Sequence, residues 1–161
     1  NWEFLSWIGP EPNGFGIMPG SARLSESDIY VVVRRREGPR RWISAHLSED
    51  NGKTWKDMTD PVEDLGEGNP PSLVLMKDGG LSLTYGDRKE PYSMCTKISE
   101  DSGKTWGGPF VLRDDGVCKD FGYARSVQRS DGKIVAVYYF SDPETAPDRY
   151  IACSIFDPAT V

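Results

Sequence analysis

Histidine is almost absent from this chain: His46 is the single imidazole among 161 residues. Cysteine is scarce too, with Cys95, Cys118 and Cys153 and no Cys-x-x-Cys spacing. A zinc site or a Cys–His nucleophile pair therefore has almost no support, and no metal ion or cofactor is expected. Cys95 and Cys153 lie in strand-like runs and read as small buried side chains. No apolar run approaches the ~20 residues of a membrane helix, so no membrane partner is expected. Positive charge is in deficit, with 19 Lys and Arg against 25 Asp and Glu and a net charge of −6. That balance argues against nucleic acid as a partner. Residues 1–4 lack the basic start and apolar core of a signal peptide.

Uninterrupted helical periodicity is missing as well. With 17 Gly and 12 Pro, no window of a dozen residues keeps a 3.6-residue repeat unbroken. Aromatic residues are plentiful, with five Trp, seven Tyr and six Phe, which suits a packed fold rather than a disordered chain. Short β-branched and aromatic runs recur between turn residues: Ile29-Tyr30-Val31-Val32-Val33, Leu81-Ser82-Leu83-Thr84-Tyr85, and Ile134 to Phe140. Each has strand length, and the fold class is all-β.

An internal repeat organises these strands. Ser48-Glu49-Asp50-Asn51-Gly52-Lys53-Thr54-Trp55 returns 51 positions on as Ser99-Glu100-Asp101-Ser102-Gly103-Lys104-Thr105-Trp106, with one substitution. The turn Lys77-Asp78-Gly79-Gly80-Leu81 likewise returns as Ser130-Asp131-Gly132-Lys133-Ile134. In the octapeptide the Asp can accept bonds from its own turn, Gly takes positive φ, and Trp opens the next strand.

Ser-x-Asp-x-Gly-x-Thr-Trp resembles the Asp-box of sialidases and their BNR-repeat relatives. In that family the box repeats around a six-bladed β-propeller and is structural, which implies that Ser48, Asp50, Gly52, Thr54 and Trp55, and Ser99, Asp101, Gly103, Thr105 and Trp106, are scaffold residues. The resemblance implies a sialidase-type propeller with about three four-stranded blades, half or a fragment of six. With strands named a to d from the axis outward, residues 1–8 read as the outer strand of a preceding blade. Residues 15–60 and 61–113 read as full blades, and 114–161 as a blade lacking its outer strand. Strand a is expected at 21–24, 72–76 and 125–129. Two readings follow: a piece of a six-bladed protein, or a half-size protein whose homodimer completes the ring. Family habit suggests a secreted or periplasmic protein.

Antiparallel order places the d–a and b–c loops on one rim, where sialidase-like propellers bind substrate. Five Arg fall between Arg34 and Arg41 on that rim, and Arg suits bidentate grip on a carboxylate. Sialidases hold the substrate carboxylate with an arginine cluster, so the resemblance implies an anionic, sialic-acid-like carbohydrate as the ligand. The substrate-binding candidates are Arg23, Arg34, Arg125, Asn69, Tyr85 and Arg88. The catalytic candidates are Tyr123 as nucleophile, with Glu67 and Asp120 as carboxylates near it. The resemblance implies an exo-glycosidase. A non-catalytic carbohydrate-binding propeller, or a lyase on the same scaffold, stands beside that reading, because the family's N-terminal Arg element and Asp acid/base have no counterpart among these residues.

Overall fold

The computed structural model describes residues 1–10 and 14–161. The stretch 11–13, part of the first expected rim loop, lies outside them. Every regular element described is a β-strand. Four form the first sheet: β1 (Phe15–Arg23), β2 (Ile29–Glu37), β3 (Arg40–Ser48) and β4 (Lys56–Val62). Four form the second: β5 (Ser72–Leu75), β6 (Leu81–Asp87), β7 (Tyr92–Ser99) and β8 (Gly107–Gly116). The third holds β9 (Gly122–Gln128), β10 (Ile134–Phe140) and β11 (Tyr150–Phe156). Each sheet is antiparallel and ordered by sequence, as hairpins joined by short turns dictate. β1 packs beside β5 and β5 beside β9, so the first strand of each sheet lies innermost. The architecture is that of three propeller blades.

Alternation of side chains fills the two spaces between the sheets. Tyr30, Val32, Ile43, Leu81, Leu83 and Tyr85 close the first. Met94, Phe121, Ile134, Tyr138 and Phe140 close the second. Each such side chain, fully buried, contributes roughly 1.5–3 kcal/mol.

Three expectations need correction. Residues 1–7 form no strand. A strand exists only with a ladder partner, and among the described residues no strand pairs with that segment. It lies instead against the first Asp-box: Ser6 Oγ donates to the Gly52 carbonyl (2.5 Å), and Trp55 Nε1 donates to Ser6 Oγ (3.0 Å). β1 begins at Phe15 rather than at 21, because a bulge between Ile17 and Gly20 keeps the pairing with β2 going. Cys95 is buried, but Cys153 is exposed: alternation along β11 turns Ile151, Cys153 and Ile155 outward.

Candidate functional site

The β2–β3 hairpin and the β4–β5, β6–β7 and β8–β9 connections converge on one rim. They enclose a cleft of about 260 Å³, lined by Phe15, Arg34, Arg36, Arg41, Glu67, Arg88, Lys119 and Asp120. Five cations thus face two carboxylates in a chain of net charge −6.

Arg34 enters from the middle of β2. Its Nη2 donates to the Glu67 carbonyl (3.5 Å). Burial and the neighbouring Arg88 guanidinium lower its pKa, and Tyr123 pulls the other way. Arg36 stacks on the Phe15 ring at 4.4 Å. Arg88 donates from Nη2 to the Phe121 carbonyl (2.7 Å) and to the Tyr139 hydroxyl (3.4 Å). Its buried Nε has no hydrogen-bond partner among the described residues. Glu67 is paired with Lys119 (3.1 Å), and that bond holds its carboxyl below the usual range.

Tyr123, the second residue of β9, sits in the left-handed region at φ 54°, a conformation bulky residues rarely adopt. Asn69 imposes it. Fully buried, its Oδ1 accepts from the Tyr123 N–H (3.2 Å) while its Nδ2 donates to the Phe121 carbonyl (2.7 Å). Gly122, at φ 108°, leaves the room: a Cβ there would lie 2.3 Å from Asn69 Nδ2. The Tyr123 ring, 40% exposed, sits 5.8 Å from that of Tyr139.

Tyr139, from β10, donates to Asp120 Oδ1 (2.7 Å), and Arg149 Nε meets Asp120 Oδ2 (3.1 Å). The Tyr139 bond, then Arg149, keeps Asp120 below its ordinary pKa. Burial, then Asp120, pushes the Tyr139 phenol up to about 12.

Six sequence candidates therefore meet on this rim: Arg34, Glu67, Asn69, Arg88, Asp120 and Tyr123. Three do not. Arg23 lies at the opposite end of β1 and donates to the Glu26 carbonyl (2.8 Å) and Asn51 Oδ1 (2.9 Å). Tyr85 is 2% exposed, a core ring whose hydroxyl pKa is raised by burial, so it has no free face for a ligand. Arg125 turns back onto the Ala124 carbonyl (2.9 Å). Tyr139, Arg149 and Lys119 were missed. Tyr139 is one of three successive aromatic residues, and period-two alternation sets it apart from Tyr138 and Phe140.

The Asp-boxes sit at the other end of the strands. In the first, Asp50 accepts from Ser48 Oγ (2.8 Å), Thr54 N (2.9 Å) and Thr54 Oγ1 (2.7 Å). Asp101 repeats this with Ser99 (2.9 Å) and Thr105 (2.8 and 2.7 Å). Bonds from Thr54 and from Thr105 lead in lowering both carboxyls to about 2. Among the described residues no group of His, Cys, Asp and Glu is placed to hold a metal ion, and no helix is long and apolar enough to cross a membrane.

Comparison with solved structures returns the same architecture. A protein of unknown function from Dyadobacter fermentans is 24% identical at a TM-score of 0.74, over 92% of this chain and 40% of that one. An α-L-arabinanase of Penicillium chrysogenum, complexed with arabinobiose, is 18% identical at 0.70, over 92% of this chain and 48% of that one. An ulvan lyase, a polysaccharide lyase bound to a GlcA-containing saccharide, is 14% identical at 0.59, over 85% and 34%. The chain thus spans less than half the length of each. No curated protein matches it. The description that fits residues 12–136 is that of the BNR repeat-like domain. With two Asp-boxes in three propeller blades and that match over most of its length, the chain belongs to the BNR repeat-like domain family.

Proposed function

We propose that this chain is part of a carbohydrate-active propeller whose rim cleft takes an acidic saccharide, with hydrolysis of sialic-acid-like termini as its finer reading. The observation that carries it is the cleft's charge: five cationic side chains around about 260 Å³ in an acidic chain. Arg34 and Arg88 grip the ligand carboxylate by charge-assisted bonds. The orphaned Arg88 Nε is a donor in want of an acceptor. Tyr123 is the nucleophile of this reading, with Asp120 and Glu67 as its carboxylates and Tyr139 beside it. The complexes of an arabinanase and an ulvan lyase with saccharides support a carbohydrate on this scaffold, and the GlcA-containing ligand of the lyase supports an acidic one.

A second reading has its own support. Glu67 and Asp120 are both ion-paired and held below their ordinary pKa, so neither is poised to donate a proton near neutrality. That favours a cleft that binds without turnover.

Calorimetric titration with sialic acid, glucuronate and a neutral disaccharide, beside turnover of a fluorogenic sialoside, separates these readings. Acid sugars are expected to bind in preference, and Arg34→Ala or Arg88→Ala to weaken them about 10-fold or more, the worth of a charge-assisted bond. Equal binding of the neutral sugar overturns the acidic assignment. Turnover abolished by Tyr123→Phe supports the nucleophile, turnover that survives it removes Tyr123 from that role, and binding without turnover favours the second reading.

A further inference from the structure

The one histidine of the chain lies away from the rim cleft, in an arrangement that cleft does not use. Ser44 and His46 are two residues apart on β3 and so share a face of the sheet. The antiparallel register sets Asp57 of β4 directly opposite His46. His46 Nδ1 lies 2.9 Å from Asp57 Oδ1, and His46 Nε2 lies 3.0 Å from Ser44 Oγ.

These distances fix the proton inventory. The Asp57 carboxylate can only accept, so the proton on that side is carried by Nδ1. Nε2 is then a lone pair, and the Ser44 hydroxyl donates to it. Burial lowers the pKa of His46, which keeps the ring neutral near pH 7. Serine hydroxyl, neutral imidazole and orienting carboxylate stand in hydrogen-bond sequence, which is what an activated serine needs.

Ser44 and His46, 6% and 3% exposed, form the floor of a pocket of about 480 Å³ that Asp57, Arg35, Arg40 and Trp42 also line. Gly9 packs over the imidazole, where a Cβ would lie 3.1 Å from His46 Cε1 and 3.3 Å from His46 Nε2. The Arg35 guanidinium is the cationic donor of the pocket. Arg34 and Arg35 are neighbours on β2, so their side chains leave opposite faces of the sheet. The pocket and the rim cleft share Arg36 as a wall and no other lining residue.

We propose that Ser44, His46 and Asp57 form a nucleophile–base–orienter set that cleaves short-chain acyl esters. Ser44 Oγ bonds to the ester carbonyl carbon as its proton passes to His46 Nε2. Arg35 faces the oxyanion of the tetrahedral intermediate. That intermediate collapses by breaking the bond to the alkoxy oxygen, which leaves as the alcohol with the proton from Nε2. Water then attacks the acyl-Ser44, gives one proton through His46 back to Ser44 Oγ, and releases the acid. Ester and water become alcohol and acid, with no other reactant.

An alkyl fluorophosphonate applied to the full chain, with peptide mapping by mass spectrometry, tests this, beside hydrolysis of p-nitrophenyl acetate. One phosphonyl group on Ser44 is expected. Ser44→Ala should abolish labelling and lower ester hydrolysis at least about 100-fold, and Asp57→Asn should lower it at least about 10-fold. Asp57 has a largely exposed side chain, so its variant is expected to melt with the parent chain. No labelling of the folded chain, labelling at another serine, or hydrolysis indifferent to Asp57→Asn each overturns the proposal. Should Ser44→Ala fail to fold, labelling of the unaltered chain decides alone.

Discussion

Each Asp-box closes on its own aspartate, and this ties the stability of the fold to acid. Asp50 and Asp101 titrate near 3.9 when unfolded and at about 2 when folded. A depressed folded pKa means that their stabilisation is complete above about 3.9 and is lost as pH falls toward 2. Thermal midpoints are expected to decline across that window. Asp101→Ala should melt lower at pH 5 and decline less steeply below it; a variant as acid-sensitive as the parent would show that the box carries no such linkage. Asn69 gives a second expectation. Removing its amide leaves the Tyr123 N–H without its acceptor and the Phe121 carbonyl with Arg88 alone, so Asn69→Ala should cost about 1–2 kcal/mol by urea titration. The sequence marked Asn69 as a ligand-facing residue. Its bridging role depends on partners 52 and 54 positions away, which no local pattern reveals. Tyr85 was misread for a related reason: alternation says that it opposes its neighbours, not which face is core.

Among the elements, strands were the most legible, because period-two runs bounded by Gly and Pro carry their own limits. β10 spans the expected residues. β1 was placed too late, since its bulge breaks the alternation that marks a strand. Residues 1–8 show the converse: reading them as the outer strand of a preceding blade supplies no ladder partner, and residues 1–7 form no strand. The sheets are clamped to each other at one point that the motif predicts only in part. Tyr30 of β2 donates to the Gly103 carbonyl of the second Asp-box (2.9 Å), in full burial. A Cβ on Gly103, at φ +85°, would stand 2.3 Å from the Tyr30 ring. Gly103→Ala should therefore destabilise by about 1–3 kcal/mol through overpacking, with left-handed strain in addition. Tyr30→Phe, which deletes only the hydroxyl, should cost about 1 kcal/mol. Urea midpoints order the two, and an alanine milder than the phenylalanine would deny the clamp.

At the scale of the molecule, the third sheet turns an apolar face to solvent: Ile151 is 73% exposed, Val127 61% and Ile155 54%. Such surface favours association. Light scattering is expected to show a mass that rises with concentration. Ile151→Lys with Ile155→Lys should return the chain toward 18.0 kDa, and a mass indifferent to both changes would mean that this face is not the contact. The Tyr30 clamp acts at this scale too. Tyr30 and Arg34 are four residues apart on one strand, about 13 Å at 3.3 Å per residue, with the box at one end and the rim cleft at the other. The angle between the first two blades, and with it the span between Arg34 on one and Arg88 on the other, is expected to respond to Gly103→Ala, so the width of the cleft becomes a property of residues that never touch what it holds.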